Sequence, residues 1–239
     1  MRYANVFQEP DVVASYPNRP PYPQETIDEL ARIADGGAVV DAGCGTGELA
    51  RRLAPLVERV DAVDVSAPML ELAQTLPGAS RVRWVHGGIE MAELDPPYAL
   101  VVAGDSVHWF DWERALPRIF ELAPLFAVVR RDWFYGNDDV VARLRPVWAK
   151  HSWNREFRPL DPVEELERRG LLRRVESRPS HSAPWHPTQD EIVGLHFSQS
   201  GFARERLEDP DAFERDLRDA LGPEPYALGV AGSVTVCER

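Results

Sequence analysis

The stretch Asp41-Ala42-Gly43-Cys44-Gly45-Thr46-Gly47, directly after the apolar run Ala38-Val39-Val40, most narrows what this chain can fold into. An apolar run ending in a carboxylate, then a glycine-rich segment, then the helical pattern Glu48 to Val57, reads as a buried parallel strand turning into a helix. Glycine permits positive φ and lets backbone N–H groups come close to a ligand. The N-terminus of the helix behind the turn is partly positive and favours an anionic group. A nucleotide-like ligand is the first expectation.

The spacing argues against a dinucleotide. The fingerprint G-x-G-x-x-G needs glycine at 48, where Glu48 stands, and its strand does not usually end in an acid. An acid before the turn suits a ligand with an ammonium group and no pyrophosphate. The next strand pattern, Val60-Asp61-Ala62-Val63-Asp64, ends in a second acid. A carboxylate at that position can accept both ribose hydroxyls, in short and strong charge-assisted bonds. Ammonium, carboxylate and ribose together describe S-adenosylmethionine (SAM), with S-adenosylhomocysteine as its product. The plainer reading, a tight turn and an unrelated surface acid, explains either element alone more easily than both in register.

VVDAGCGTGELA and VDAVDVSAPMLELA resemble the first two motifs of the class I SAM-dependent methyltransferases. More narrowly, the chain resembles the small-molecule branch that includes the type 11 and trans-aconitate methyltransferase-like proteins. Tyr16-Pro17-Asn18-Arg19-Pro20-Pro21-Tyr22-Pro23 resembles that branch's N-terminal tract, His108-Trp109-Phe110-Asp111 its HWFD, and Ser198-Gln199-Ser200-Gly201 a serine run near its C-terminus. The resemblance implies a Rossmann-like α/β fold, a seven-stranded, mostly parallel sheet of order 3-2-1-4-5-7-6. Its last strand is antiparallel, helices cover both faces, and a small helical cap is added. It also implies cofactor roles by position. Asp41, Ala42, Gly43, Gly45 and Gly47 form the loop, with Asp41 and Gly43 near the methionine moiety. Asp64 meets the ribose, and Val65 and Met69 flank the adenine. Tyr16 and Arg19 close over the amino-acid end, while Gly104, Asp105 and Trp109 border donor or acceptor. The adenine edge is usually met by an acid in a segment that here reads Gly87-Gly88-Ile89-Glu90. Gly88 replaces that acid, so backbone of Ile89 or the Glu90 side chain is the expected substitute.

Strand and helix signals alternate along the chain, as a parallel sheet with crossover helices requires. The patterning predicts strands over 37–42, 60–64, 82–86, 98–103, 125–130, 171–178 and 226–237. It predicts helices over 24–34, 48–57, 67–75, 111–122, 138–150, 161–169, 188–198 and 209–221. The whole chain, 1–239, reads as one catalytic domain, with 1–35 covering the cofactor and an aromatic insertion at about 132–160 as the cap. That insertion carries Trp133, Phe134, Tyr135, Trp148, Trp153 and Phe157.

A net charge of −12 without a basic run disfavours nucleic acid, whose binding is dominated by phosphate neutralisation. No stretch reaches membrane-spanning length, and the N-terminus lacks the pattern of a signal peptide, so a cytoplasmic enzyme, monomeric or homodimeric, is expected. Cys44 and Cys237 make no disulfide framework, and the dispersed histidines show no metal-ligand spacing, so no metal is assigned. His181 and His186 fall in a Pro/Ser-rich stretch that reads as a surface turn.

Asp95-Pro96-Pro97-Tyr98 spells the DPPY of enzymes that methylate adenine amines, but it precedes its strand, Ala99 to Ala103, instead of ending it. A proline-rich turn accounts for it. The acceptor should instead meet Gly104 to Phe110. Methyl transfer from a sulfonium is an in-line displacement, and positioning can supply about 7–11 kcal/mol in the best cases. His108 is the histidine placed to act as a base on a hydroxyl acceptor; fixing the loop is the other role open to it. Arg130, Arg131, Arg143, Arg145, Arg155 and Arg158 would favour a carboxylate acceptor if they gathered at the pocket. Two functions follow: methyl transfer to a small hydroxyl or carboxylate compound, or a catalytically idle SAM-binding regulator or scaffold.

Overall fold

A computed structural model describes residues 4–152 and 161–239. Its strands are β1 (Val39–Ala42), β2 (Val60–Asp64), β3 (Val82–His86), β4 (Leu100–Gly104), β5 (Leu125–Asp132), β6 (Arg173–Pro179), β7 (Ala183–Trp185) and β8 (Leu228–Glu238). The helices are α1 (Pro10–Ser15), α2 (Gln24–Ala34), α3 (Glu48–Leu53), α4 (Ala67–Thr75), α5 (Trp112–Leu122), α6 (Asp138–His151), α7 (Pro162–Arg168), α8 (Gln189–Phe197) and α9 (Pro210–Leu221).

The sheet runs β3-β2-β1-β4-β5-β8-β6; β1 to β5 are parallel and β8 is antiparallel to both β5 and β6. This is the expected topology with one strand more than the expected seven. The extra strand, β7, pairs with Leu228–Val230 at the start of β8. The Pro/Ser-rich stretch therefore contains an edge strand between His181 and His186 where a surface turn was expected. β8 is long enough to run past β6, and its first backbone groups need partners. Pro184, which has no N–H to donate, is tolerated on an edge.

Both faces of the parallel strands are apolar because both are covered. Val40, Ala42, Val101, Ala103 and Phe126 meet α5 and α7 through Leu116, Ile119 and Leu166. Val39, Val60, Ala62, Leu100 and Val102 meet α2 and α3 through Ile27, Leu30, Leu49 and Leu53. Period-two alternation thus assigns each strand residue to one of two cores. α3 stops at Leu53 instead of running to 57, since Pro55 cannot donate the next helical bond.

Aromatic residues of the expected insertion belong to a third apolar core that draws on more chain than that insertion. Phe134, Leu144 and Val147 pack with Ile192, Leu195 and Phe197 of α8 and Phe213 and Leu217 of α9. Trp153, Phe157, Arg155 and Arg158 lie outside the described residues.

Candidate functional site

Parallel strands bring the ends of β1, β2, β4 and β5 to one end of the sheet, where a cavity of about 210 Å³ opens against β1, β4 and β5. Tyr16, Arg19, Asp41, Gly43 and Gly104 line it, together with Tyr22, Cys44, Thr46, Glu48, Arg51 and Arg131. The loop that forms its floor depends on glycine. At Gly47, φ is +70° and a Cβ would lie 2.3 Å from the Trp84 ring. At Gly43, φ is +68° and a Cβ would lie 2.7 Å from Cβ of Ser106, whose hydroxyl donates to Ala42 O at 2.7 Å.

The two acids differ in setting. Asp41 is 1% exposed, and Oδ2 accepts from Ala50 N in the first turn of α3 at 3.1 Å. Burial raises its pKa to about 7; the Ala50 bond opposes this, while Asp64 and Glu48 add to it. An acid so costly to ionise gains from any cation brought against it. Asp64 is half-buried, with Oδ2 accepting from Gly45 N at 2.7 Å and Oδ1 from Ser66 N at 2.8 Å. It ties the glycine loop to the β2 end, and each oxygen retains a lone pair for a further donor. Desolvation raises its pKa, against the bonds from Ser66 and Gly45.

The N-terminal tract lies over this floor. Tyr16 hydroxyl is 3.1 Å from where a Cβ on Gly45 would stand. Arg19 donates to Tyr16 Oη at 3.1 Å, stacks over that ring at 4.1 Å, and donates to Ser198 Oγ at 2.9 Å and Ser198 O at 2.6 Å. The serine run near the C-terminus therefore has a physical role: buried Ser198 anchors the arginine of the N-terminal tract. Phe7 sets its edge against Trp109 at 5.5 Å.

The expected residues do not all reach the cavity; Asp64, Asp105 and Trp109 stand outside its lining. Ala42 faces the α5 core. Met69 is 1% exposed and packs with Val6, Val12 and Ala203; Ile89 is 3% exposed in the main core. Both side chains are packing groups, which leaves only the backbone of Ile89 for the role expected of it, whereas Val65 is 47% exposed just after β2, and its carbonyl accepts from Gln8 Nε2 at 2.9 Å. At Gly88 an added Cβ would lie 2.5 Å from Glu90 Oε2. Glu90 has moved its carboxylate into the space that glycine vacates, and Oε1 accepts from Asp111 N at 3.2 Å ahead of α5.

Asp105 adopts φ +51°, a left-handed conformation that aspartate tolerates better than most residues. Its carboxylate serves a buried network. Tyr22 hydroxyl donates to Oδ2 at 2.8 Å and Arg131 lies 3.4 Å away, stacked on the Tyr22 ring at 4.0 Å. Arg131 also donates to Pro20 O and to Glu48 Oε2, the latter at 3.2 Å. Desolvation and the Asp105 carboxylate push the Tyr22 pKa well up, so its hydroxyl stays protonated and donates. Tyr22, Glu48 and Arg131 were not singled out from sequence as cofactor-site residues. The signals were an acid at a helix N-terminus and an arginine at a strand end. His108 leans on Trp109 with ring centroids 4.7 Å apart. Desolvation lowers its pKa below 6.5; Asp105 opposes this, and Arg130 and Arg19 add to it. Among the described residues no His/Cys/Asp/Glu group could hold a metal ion.

The methyltransferase-domain family matches residues 39–123, which hold both acidic strand ends and the loop between them. An uncharacterized methyltransferase of Mycobacterium tuberculosis is 34% identical over 155 residues, 63% of this chain and 70% of the relative. The chain belongs to the class I SAM-dependent methyltransferases. A solved structure from Anaeromyxobacter dehalogenans, provisionally assigned as a type II methyltransferase, resembles it with a TM-score of 0.68 at 25% identity. That similarity covers 92% of this chain and 96% of the other. The rRNA adenine N-6-methyltransferase of Streptomyces fradiae is 28% identical over 197 residues, 74% of this chain and 59% of that one. In the present chain, Tyr98 of the DPPY segment donates its hydroxyl to buried Asp61, whose other neighbours are Arg59 and Arg83. That cluster lies at the opposite end of β4 from the glycine loop.

Proposed function

We propose that this methyltransferase moves the methyl group of SAM to a small-molecule acceptor bearing a hydroxyl or carboxylate. The observation that carries the donor assignment is the pair Asp41 and Asp64 at neighbouring strand ends, one buried at an elevated pKa and the other fixed by two backbone N–H groups. The buried acid suits the ammonium of SAM and the fixed one its ribose; bound SAM supplies an electrophilic methyl on sulfonium. Arg19, steadied by Ser198, would offer its guanidinium to the donor's carboxylate, and Glu90, whose Oε2 lies 2.5 Å from where a Cβ on Gly88 would stand, would meet the adenine edge.

The N-terminal segment, 1–35, would shield the donor, and the cap would close the acceptor side, the whole chain acting as one catalytic domain. His108, neutral near pH 7 because its pKa is lowered, would accept a hydroxyl proton. The reading takes no nucleic acid, membrane or metal as partner, and sets the enzyme in the cytoplasm as a monomer or homodimer. Against an RNA acceptor stand the net charge of −12 and the use of Tyr98 inside the Asp61 cluster. Glu90 weakens the case for an idle SAM-binding protein, because it refills the position that Gly88 leaves bare.

Calorimetric titration of SAM against wild type and Asp64→Ala tests the donor site, with an expected loss of about 1–3 kcal/mol. An unchanged dissociation constant in folded Asp64→Ala would refute the ribose assignment. Labelled SAM with a panel of small hydroxyl and carboxylate compounds, and with rRNA as a separate arm, tests the acceptor class. Transfer to rRNA alone would overturn it.

A further inference from the structure

A second cavity, of about 490 Å³, opens beside the first and shares Tyr22, Glu48 and Arg51 with it. Part of its lining is apolar, made of Pro21 and Pro23 from the N-terminal tract, Pro184 and Trp185 from β7, and Val230 from β8. Trp185 is backed by Phe134, with ring centroids 6.3 Å apart, so the indole is braced by the third apolar core. Proline rings and a braced indole make a rigid surface against which a planar hydrocarbon loses little freedom on binding.

The charges in the rest of the lining are unevenly matched. Glu48 lies between Arg52 at 2.9 Å and Arg131 at 3.2 Å, and is neutralised. Arg52 is also committed to Tyr22 O and Gln24 Oε1. Arg51 is different. It donates to two neutral carbonyls, Thr46 O at 3.2 Å and Pro77 O at 2.9 Å, and no carboxylate among the described residues lies within 4.0 Å of it. Desolvation lowers its pKa and Arg52 adds to this, against Glu48, as befits a cation held half-buried without an anion. It is the cation common to both cavities.

We propose that this second cavity binds an apolar, planar monocarboxylic acid, its body against Trp185 and Pro184 and its carboxylate on Arg51. The inference rests on the small-acceptor reading and names the class of that acceptor. The carboxylate supplies the anion that Arg51 lacks, and the shared wall of Tyr22, Glu48 and Arg51 sets the bound acid next to the donor cavity. β7 acquires a purpose beyond closing an edge, because it contributes the tryptophan.

Titration calorimetry on the full chain, saturated with S-adenosylhomocysteine, uses naphthoate as the probe and naphthylmethanol as its neutral counterpart. Naphthoate should bind at least about tenfold tighter than the alcohol, as a charge-assisted contact predicts, and Arg51→Gln should erase most of that preference. Trp185→Leu should weaken both probes by roughly fivefold or more through lost stacking, with S-adenosylhomocysteine affinity and thermal midpoint close to wild type. The proposal falls if naphthoate does not bind, if acid and alcohol bind alike, if neither variant changes binding, or if S-adenosylhomocysteine displaces the probe. Failure of the small-acceptor reading looks different: naphthoate binds as described, yet no small compound receives label from SAM.

Discussion

His196 offers a direct test, through pH, of how the third apolar core is built. It is 0% exposed in α8, with Nδ1 bonded to Ile192 O at 2.7 Å and aromatic rings around it: Trp148 at 5.8 Å, Phe202 at 6.0 Å, Phe134 and Phe213 each at 6.2 Å. A carbonyl accepts only, so Nδ1 carries the proton and Nε2 is left with no partner. Desolvation lowers the pKa to about 4, against a smaller opposing effect of the Ile192 bond. Below pH 6.5 the unfolded chain takes up a proton that the folded chain refuses, so His196 makes stability fall between pH 6.5 and 4. The gap corresponds to about 3 kcal/mol, of which about 2 kcal/mol falls between pH 7.5 and 5.0. Asp41 acts in the opposite sense. With a folded pKa raised to about 7, its contribution is complete below pH 3.8 and is lost as pH rises through 7. Over the same interval acidification returns about 2.5 kcal/mol through Asp41, so the two effects mask each other in wild type. The measurable quantity is the difference between wild type and His196→Gln in urea unfolding, followed by tryptophan fluorescence. That difference should shrink by about 2 kcal/mol between pH 7.5 and 5.0. A difference constant to within about 0.5 kcal/mol would mean that His196 is neither neutral nor sealed from water, and the reasoning would fail.

Three further outcomes concern the site. SAM binding near pH 7 should release a proton from Asp41, because a cationic ligand favours the carboxylate. Affinity should rise about tenfold from pH 6 to 8 in wild type and stay flat in Asp41→Asn, as read from dissociation constants and from buffer-dependent enthalpy. Gly88→Ala puts a methyl 2.5 Å from Glu90 Oε2, the mobile end of a side chain, so stability should change by less than about 1 kcal/mol. Its SAM affinity should nevertheless drop by roughly threefold to tenfold as Glu90 is displaced, and equal affinity would remove Glu90 from the adenine edge. His108→Gln should lower turnover with little effect on SAM binding. The wild-type rate should climb through a pKa below 6.5 and level off near neutrality, and an unchanged profile in the variant would show that His108 is not the base.

How much of this was legible follows from how local each feature is. The parallel strands were readable because each is a short apolar run with helical spacing on either side, and their order follows from the family pattern. β7 was not, because Ala183-Pro184-Trp185 has no strand pattern of its own and pairs only because β8 outruns β6. The positions of Asp41 and Asp64 were legible for the same local reason, both being strand ends. Met69 was placed by analogy beside the adenine, but side-chain direction depends on what covers it. Val6 and Val12 cover Met69, and no pattern near residue 69 announces a partner so far upstream.

The Arg131 network shows where local reading ends. Tyr22, Glu48, Asp105 and Arg131 belong to the N-terminal tract, the start of α3, the turn after β4 and the end of β5, and none is unusual alone. Together they must be satisfied mutually. The Arg131 side chain is 6% exposed, and removing it would leave Glu48 and Asp105 facing each other near Asp41 without a cation. Breaking such a pair costs more than the intact pair contributes, typically about 3–5 kcal/mol against a net value near zero. The network is therefore better understood as a positioning device than as a source of stability. It holds the N-terminal tract, through Pro20 and Tyr22, over the glycine loop, and in the proposed function that would keep the methyl donor and its acceptor away from water and close to each other.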